Sequence, residues 1–532
     1  MRDVLPARIA LVFREDVSYT LHIQAHSSGT MYDMLDDVPV EMADLIAAAA
    51  KMVRQSHRVL AFSHIDADGI SALAIIATML ERESKEYEWT NVHQINSESI
   101  LEVREKVESW SPDLVIFSDF GTGQRSLIEE HIEGIPSVEH IIILDHHLPQ
   151  EDECRDVGGS SKILEINPWH HELSGSYDLS GAGAAFLLSL GVSAANADLS
   201  ELAIVGATGD LQDYYGKGFS GLNKAIIGLA ESIGILEVTR DLTFFGINTR
   251  PLPYLLQYAT DPYLPGVTGV EEACFAFYEE AGVELRSDDG DWRYWTDLES
   301  EEKQRVIQGL FDLVLESYED SRVAQGIIGD VITLKSRPER TEMRSAKEFS
   351  TLLNACGRNR RPEVGVRICM GDEEAIAEGQ SLLQLHRTNL AMALRRLEND
   401  GYRELPGMYL VDDPETPDTI IGIVIGMAQG SRIIPIDKPV IGVSRNISGE
   451  SQFIKISGRA HKSLVDRGLN LKEAFVEASA ILNEDDEDLM AEAGGHPMAA
   501  GAFVQEERLT EFLDLVSKQF SSLLSSQAER NR

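Results

Sequence analysis

What most constrains this chain is an ending that recurs: four apolar segments that each stop on an acid or a histidine. "RVLAFSHIDADG" (58–69) runs into His64, Asp66 and Asp68, and "LVIFSDFGTG" (114–123) into Asp119. "IIILDHHLP" (141–149) runs into Asp145, His146 and His147, and "LAIVGATGDLQD" (202–213) into Asp210. The first three are short, rich in Val, Ile, Leu and Phe, and read as buried strands. Between them, "ISALAIIATMLERE" and "SILEVREKVESW" have helical spacing and length. That alternation indicates an α/β domain, a parallel sheet with helices on its faces. The carboxyl ends of parallel strands share one edge, and ligands bind in the crevice outside it. Reading the fourth segment the same way brings all these side chains to one place.

The chain has 532 residues, 43% of them hydrophobic, enough for more than one core. Residues 1–45 are expected to be an N-terminal extension and 46–236 the first α/β domain. Residues 237–335 change character. "TFFGINTRPLPYLLQYATDPYLPGVTG" is rich in Pro, Gly and aromatics, and "RSDDGDWRYWTDLESEEKQRVIQGLFDLVLESY" is acidic and helical, so this part is read as an inserted or linking domain. A second α/β region is expected over 336–525, with strand candidates "GMYLV", "IIGIVIGM", "PVIGVSR" and "QFIKISGR". Residues 526–532 read as a frayed tail.

No apolar run approaches the ~20 residues a membrane helix needs, and "MRDVLPARIALVFRED" does not read as a secretory leader. A soluble, cytoplasmic protein without membrane association is expected. Cys154, Cys274, Cys356 and Cys369 form no CxxC pair, which argues against a zinc ribbon or a disulfide framework. The net charge of −41 repels polyanions at low salt. Either the surface is adapted to a salty cytoplasm, where screening shortens that repulsion, or the protein avoids nucleic acid. The motifs favour the first.

Singly, each motif has a bland reading. An Asp after a strand usually caps the next helix, and a His-His pair is usually surface. Four such sites in one sheet domain are hard to explain that way. Together they supply about six oxygen and nitrogen donors, enough for two adjacent divalent ions with positions left for water and substrate. Mixed carboxylate and imidazole donors suit Mn²⁺, and Mg²⁺ less well. The acidic stretch "NEDDEDLMAE" (483–492) lacks a glycine turn at calcium-loop spacing and reads as a solvated loop, and "RSDDGDW" (286–292) reads as a turn.

The ordered set His64-x-Asp66-x-Asp68-Gly69, Asp119, Asp145-His146-His147 and Asp210 resembles the four motifs of the DHH phosphoesterase superfamily. "AGGHPMAAG" (493–501) resembles the glycine-rich signature of the DHHA1 domain. "SGAG" (180–183), "INTRPL" (247–252) and "EFSTLLNACGR" (348–358) are similar to segments of archaeal RecJ-like single-strand nucleases. The resemblance implies a DHH catalytic domain and a smaller DHHA1 domain closing a cleft over two Mn²⁺ ions. It implies that Asp119 bridges the ions, that His64 and Asp66 complete one site, and that Asp68, His146 and Asp210 complete the other. Asp145 would orient a ligand, and His147 would face the substrate phosphate. Gly494 and Gly495 would let the backbone approach a phosphate, with His496 as donor, although a plain glycine turn fits the same residues. Arg459 in "SGRAHK" and Arg358 in "CGRNRR" are phosphate-contact candidates, the latter within a local excess of Arg358, Arg360, Arg361 and Arg367 over Glu363.

The expected activity is stepwise hydrolysis of single-stranded DNA or RNA to nucleoside 5′-monophosphates, and the resemblance adds association with the GINS complex of the replisome. Two rivals stand beside it. One is a phosphodiesterase for short oligonucleotides or cyclic dinucleotides, favoured by the acidic charge. The other is a replication-fork scaffold without catalysis, disfavoured because every ligand position is present.

Overall fold

The structure, a computed structural model, describes residues 37–530 except 94, 97–98, 150–161, 214–217, 260–261, 319–323, 446–452 and 485–489. Most of the expected N-terminal extension, Cys154, the middle of the acidic 483–492 stretch and the last two residues of the tail lie outside the described residues. The chain forms two compact units: Met1–Leu255 with Cys274–Leu383, and Leu256–Ala273 with Gln384–Arg532.

The first unit opens with helix α1 (Val40–Gln55), which presents Met42, Ile46, Ala49, Ala50 and Val53 on one buried face. It therefore straddles the expected boundary at 45/46, because its apolar spacing begins before that point. Strand β1 (Arg58–Ser63), helix α2 (Ala67–Arg82), strand β2 (Glu86–Asn91), helix α3 (Ser99–Trp110) and strands β3 (Leu114–Ser118), β4 (His140–Leu144) and β5 (Ile163–Ile166) follow. The five strands form one parallel sheet in the order β2-β1-β3-β4-β5. Alternate residues serve opposite faces. Val59, Ala61, Leu114, Ile116, Ile142 and Leu144 join one apolar core. Leu60, Phe62, Val115, Phe117, Ile141 and Ile143 join the other. Burial on both sides explains why these strands read as continuous apolar runs.

Helices α4 (Gly181–Val192), α5 (Ser200–Gly209) and α6 (Gly221–Ser232) complete this layer. Helix α5 corrects the reading of "LAIVGATGD" as a strand end. Ser200 to Ala207 are all buried, so no polar stripe reveals the helical period, and a short apolar run is ambiguous by pattern alone. Strands β6 (Leu236–Leu242) and β7 (Ile328–Leu334) pair antiparallel and bracket the intervening segment, which includes helix α7 (Ser300–Tyr318). Helices α8 (Ala346–Arg358) and α9 (Pro362–Cys369) belong to this unit's core. The division between units near Leu383 therefore differs from the expected boundary at 335/336. The apolar faces of α8 and α9 need a partner, and the first sheet's helical layer supplies it.

The second unit carries a mixed six-stranded sheet. Its elements are β8 (Arg403–Glu404), β9 (Tyr409–Asp412), helix α10 (Ile421–Gly430), β10 (Val440–Ser444), β11 (Phe453–Arg459), helix α11 (Leu471–Asn483), β12 (Ala491–Gly495), β13 (Ala499–Gln505) and helix α12 (Leu509–Arg530). The strand order is β12-β13-β11-β10-β9-β8, with only β9 and β10 parallel. The expected strand "IIGIVIGM" is helix α10. It too is apolar on most sides, and Gly422 and Gly426 lie one turn apart on it.

Candidate metal centre

Strand register assembles the site. Ser63 of β1 pairs with Ser118 of β3, and Ser118 with Leu144 of β4, so His64, Asp119 and Asp145 each follow a paired strand end. Chain order reverses between β1 and β3, the place where open α/β sheets leave a crevice.

Asp66 caps a helix and still has an oxygen to spare for the site. Its Oδ1 caps α2 by accepting from Gly69 N at 3.1 Å, while Oδ2 stands 2.9 Å from His64 Nδ1. Asp68, fully buried, accepts from Gly181 N at 2.7 Å and Ala182 N at 3.1 Å at the start of α4. Asp119 has a left-handed backbone with φ of 59°, uncommon for a residue with a Cβ. Gly181 makes room for it: a Cβ there would stand 2.9 Å from Asp119 Cα. Asp119 Oδ1 lies 3.2 Å from His146 Nε2, and its Oδ2 lies 3.6 Å from His64 Nδ1. His146 Nδ1 is 2.6 Å from the Gly175 carbonyl. A carbonyl can only accept, so Nδ1 carries the proton and Nε2 faces the acids. That nitrogen is 3.1 Å from Asp210 Oδ2 and 3.6 Å from Asp68 Oδ2.

Two overlapping donor sets result. His64, Asp66 and Asp119 each offer an atom within 4.8 Å of the others, as do Asp68, His146 and Asp210; Asp119, His146 and His147 form a third such group. Asp119 and His146 lie where the sets meet. The donors fit divalent cations on a direct observation: Asp119 Oδ2 is buried and has no hydrogen-bond donor, an expensive arrangement for a carboxylate oxygen unless a cation faces it. Carboxylate oxygens mixed with imidazole nitrogens suit Mn²⁺ and accommodate Mg²⁺.

The electrostatics are those of carboxylates crowded together out of water, with two imidazoles among them. Burial, then repulsion from Asp119 and Asp210, pushes the Asp68 carboxyl well above its usual range. Burial, then Asp66, raises that of Asp119. For His146, burial opposes the charge, but hydrogen bonds to Asp119 and Asp210 outweigh it and hold the imidazolium well above the usual range. His64 is raised in the same way, against burial, by Asp66 and Asp119. Asp145 stays below the usual range despite burial, because His147 and His146 face it. Its Oδ1 accepts from His146 N at 2.7 Å and lies 2.8 Å from His147 Nδ1, and its Oδ2 accepts from Thr122 N at 2.9 Å. His147, half-exposed, is raised by Asp145 against the effect of burial.

Several supporting residues escaped the sequence reading. Gln212 Nε2 donates to the Gly175 carbonyl at 2.9 Å, and its Oε1 accepts from Asn223 Nδ2 at 2.6 Å. Glu165 accepts from Thr122 Oγ1 at 2.9 Å and Arg125 Nη1 at 2.8 Å, with His170 Nε2 at 3.0 Å, which steadies the loop behind Asp145. Only Gln212, two residues past Asp210, carried any signal. Arg358 ends α8, half-buried, where Asp66 is the charge that acts on it; burial lowers its pKa and Asp66 opposes that. The arginine excess around it is not a bare basic patch, which corrects the inference drawn from it. Arg361 pairs with Glu363 and Glu378, and Arg367 with Asp372. Glu363 is the acid already counted, and Asp372 and Glu378 come from beyond that window.

In the second unit, Arg459 and Lys455 alternate onto one face of β11. Arg459 lies over Gly422, where a Cβ would stand 2.8 Å from its Nη2, and Lys455 over Gly501, where a Cβ would stand 3.0 Å from its Nζ. Lys455 also lies 4.1 Å from the Phe503 ring centroid. Burial, then Arg459, pushes its ammonium down to about 8, against Asp418 and Glu492. Lys455 went unnoticed in the sequence. Gly495, at φ of 129°, makes the β12–β13 turn, closed by His496 N to Ala499 O at 2.8 Å. His496 is exposed on it, and nothing lies within 4 Å of the Cβ position at Gly494.

Comparison with known proteins agrees. The models for the DHH family N-terminal domain, the DHH-CID domain and the DHHA1 domain match residues 58–207, 244–328 and 408–522. An uncharacterised protein of Methanocaldococcus jannaschii is 28% identical over 472 residues, covering 89% of this chain and 95% of that protein. RecJ from Thermus thermophilus, solved in complex with Mn²⁺, shares the fold at a TM-score of 0.53 and 17% identity, over 90% of this chain and 55% of that one. This chain thus spans about half the length of that RecJ. An exonuclease RecJ bound to manganese aligns at 0.51 and 18% identity, over 91% and 96% of the two chains. Cdc45 from Entamoeba histolytica aligns at 0.56 and 14%, over 90% and 98%. With three domain models in the expected order and the motif residues gathered at one sheet edge, the chain belongs to the DHH/DHHA1 phosphoesterase superfamily and has a RecJ-like fold.

Proposed function

We propose that the protein is a two-metal phosphodiesterase, in its fullest form a cytoplasmic single-strand-specific exonuclease that releases nucleoside 5′-monophosphates. The observation that carries the reading is the buried, donorless Oδ2 of Asp119 between two sets of acids and imidazoles. His64, Asp66 and Asp119 would hold one divalent cation, Mn²⁺ in preference to Mg²⁺, and Asp68, His146 and Asp210 with Asp119 the second. When bound, such a pair supplies an activated water and neutralises phosphoryl oxygens during in-line displacement.

The chain's own groups supply the rest. Gly175 fixes the His146 tautomer, so that Nε2 remains a donor atom toward the centre. Asp145 holds His147 as an imidazolium whose exposed edge donates to a phosphate oxygen, where charge develops. Arg358 adds a fixed positive charge beside Asp66. Arg459, with Gly494, Gly495 and His496, holds the phosphates of the remaining strand. The Mn²⁺-bound RecJ structures of the same fold support the choice of cation. A place beside the replisome, including the GINS association, rests on the resemblance of the motifs to archaeal RecJ-like nucleases, and Cdc45 shares the fold.

A second reading, hydrolysis of short oligonucleotides or cyclic dinucleotides, gains from the pairing of Arg361 and Arg367 with acids, which removes one argument for a long polymer. One experiment separates the readings: turnover of single strands labelled at either end, against a dinucleotide, with Mn²⁺ and with EDTA. The exonuclease reading expects stepwise shortening of the strand, abolished by EDTA. Turnover of the dinucleotide alone selects the second reading, and metal binding without any turnover selects a scaffold.

A further inference from the structure

Helix α8 touches more of this centre than its position after the insertion suggests. Asn354 Oδ1 accepts from Ala67 N at 3.1 Å, at the first turn of α2 and next to Asp66. One turn on, Gly357 lies so close to the loop that a Cβ would stand 1.9 Å from the Ile65 carbonyl. Ser350, one turn before Asn354, faces Gly209, whose Cβ position is 3.5 Å from Ser350 Cβ; Gly209 precedes Asp210. One helix therefore touches the loop bearing His64, Asp66 and Asp68 and the helix end bearing Asp210.

The other end of α8 is tied elsewhere. Glu348, 1% exposed, accepts from Asn248 N at 3.2 Å and Thr249 Oγ1 at 2.5 Å. Lys347 Nζ donates to the Thr243 carbonyl at 2.8 Å. These partners follow β6, where the bracketed segment starts.

We propose that α8 is a brace. Asn354 is a positioning residue that sets the first metal-bearing loop against Asp210, and the Glu348–Thr249 bond ties that setting to the start of the inserted segment. The brace rests on the two-metal reading. It acts on metal affinity rather than on chemistry, because residues that orient ligands govern how tightly the ion is held.

The test is Mn²⁺ titration calorimetry on the full chain, with thermal melts in EDTA. Asn354→Ala should weaken Mn²⁺ binding ~10-fold or more with little change in the EDTA melt. Asn354→Asp, which keeps the acceptor and adds a charge, should bind at least as tightly as wild type. Thr249→Val, which removes no proposed ligand, should weaken binding ~3-fold. Equal affinity for Asn354→Ala and wild type, or a loss in Asn354→Asp as large as in the alanine variant, overturns the positioning role. An unchanged Thr249→Val overturns the tie to the insertion. A wild-type chain that binds no Mn²⁺ overturns the two-metal reading itself, and the brace with it.

Discussion

Asp119, buried in the first unit, and Lys455, half-buried in the second, are both charged groups held out of open water, and they differ in what surrounds them. Asp119 sits among acids at a strand end, with one oxygen donorless, in a cluster whose carboxylates repel one another. Lys455 sits on a strand face above a glycine, and among the described residues no side chain pairs with it in an ion pair. One environment calls for cations and the other for an anion. Under the proposed function the first unit would do the chemistry and the second would hold the strand, each through a charged group set partly or wholly out of water.

The largest effect should come from Asp119. Because its φ is left-handed, Asn is a better replacement than Ala. Asp119→Asn should lower turnover ~10³-fold or more and leave fewer than two Mn²⁺ per chain by elemental analysis. Its melt in EDTA should be equal to or above wild type, since it removes a charge from a repelling cluster. Two retained Mn²⁺ with near-normal turnover would end the assignment of Asp119 as the shared ligand.

Next is Arg459→Ala, which should raise KM for a long single strand ~10-fold and leave a chromogenic phosphodiester within ~2-fold. Equal loss on both substrates would erase the division between the units.

Lys455 sharpens the comparison through pH. Its folded pKa of about 8 lies below the ordinary lysine value, so its contribution to stability is present above the unfolded pKa and is lost as pH falls through about 8. Lys455→Met should therefore melt higher than wild type near pH ~7, with the gap closing by pH ~11. Binding of single strands should weaken in wild type as pH rises through about 8, and Lys455→Met should not show that step. Identical binding profiles would exclude Lys455 from anion contact.

The smallest effect is expected from His496→Ala. An exposed side chain on a turn that Gly495 already shapes should cost ~3-fold in long-strand affinity and nothing in small-ester turnover. A collapse of the fold would instead make His496 part of the hairpin.

How much of this was legible depends on whether the signal was local. The three strand ends were, because a strand buried on both faces is a short apolar run, and a polar residue at its end stands out. The bland reading of Asp66 as a helix cap holds and does not exclude the sharp one as a ligand, since a carboxylate has two oxygens and the cap uses one. The segments 202–209 and 421–427 were misread as strands for a matching reason: a helix buried on most sides hides its period.

The sequence by itself determined the motif residues, their order and the domain family, because these depend on residue type and spacing along the chain. Only the tertiary structure decided that Gly175 fixes the His146 tautomer, that Gly181 admits a left-handed Asp119, and that Asn354 reaches the first turn of α2. Each is a contact across tens to hundreds of residues, made by a backbone carbonyl, a missing Cβ or one amide. Such groups leave no periodicity behind, and their meaning comes from what folding sets opposite them.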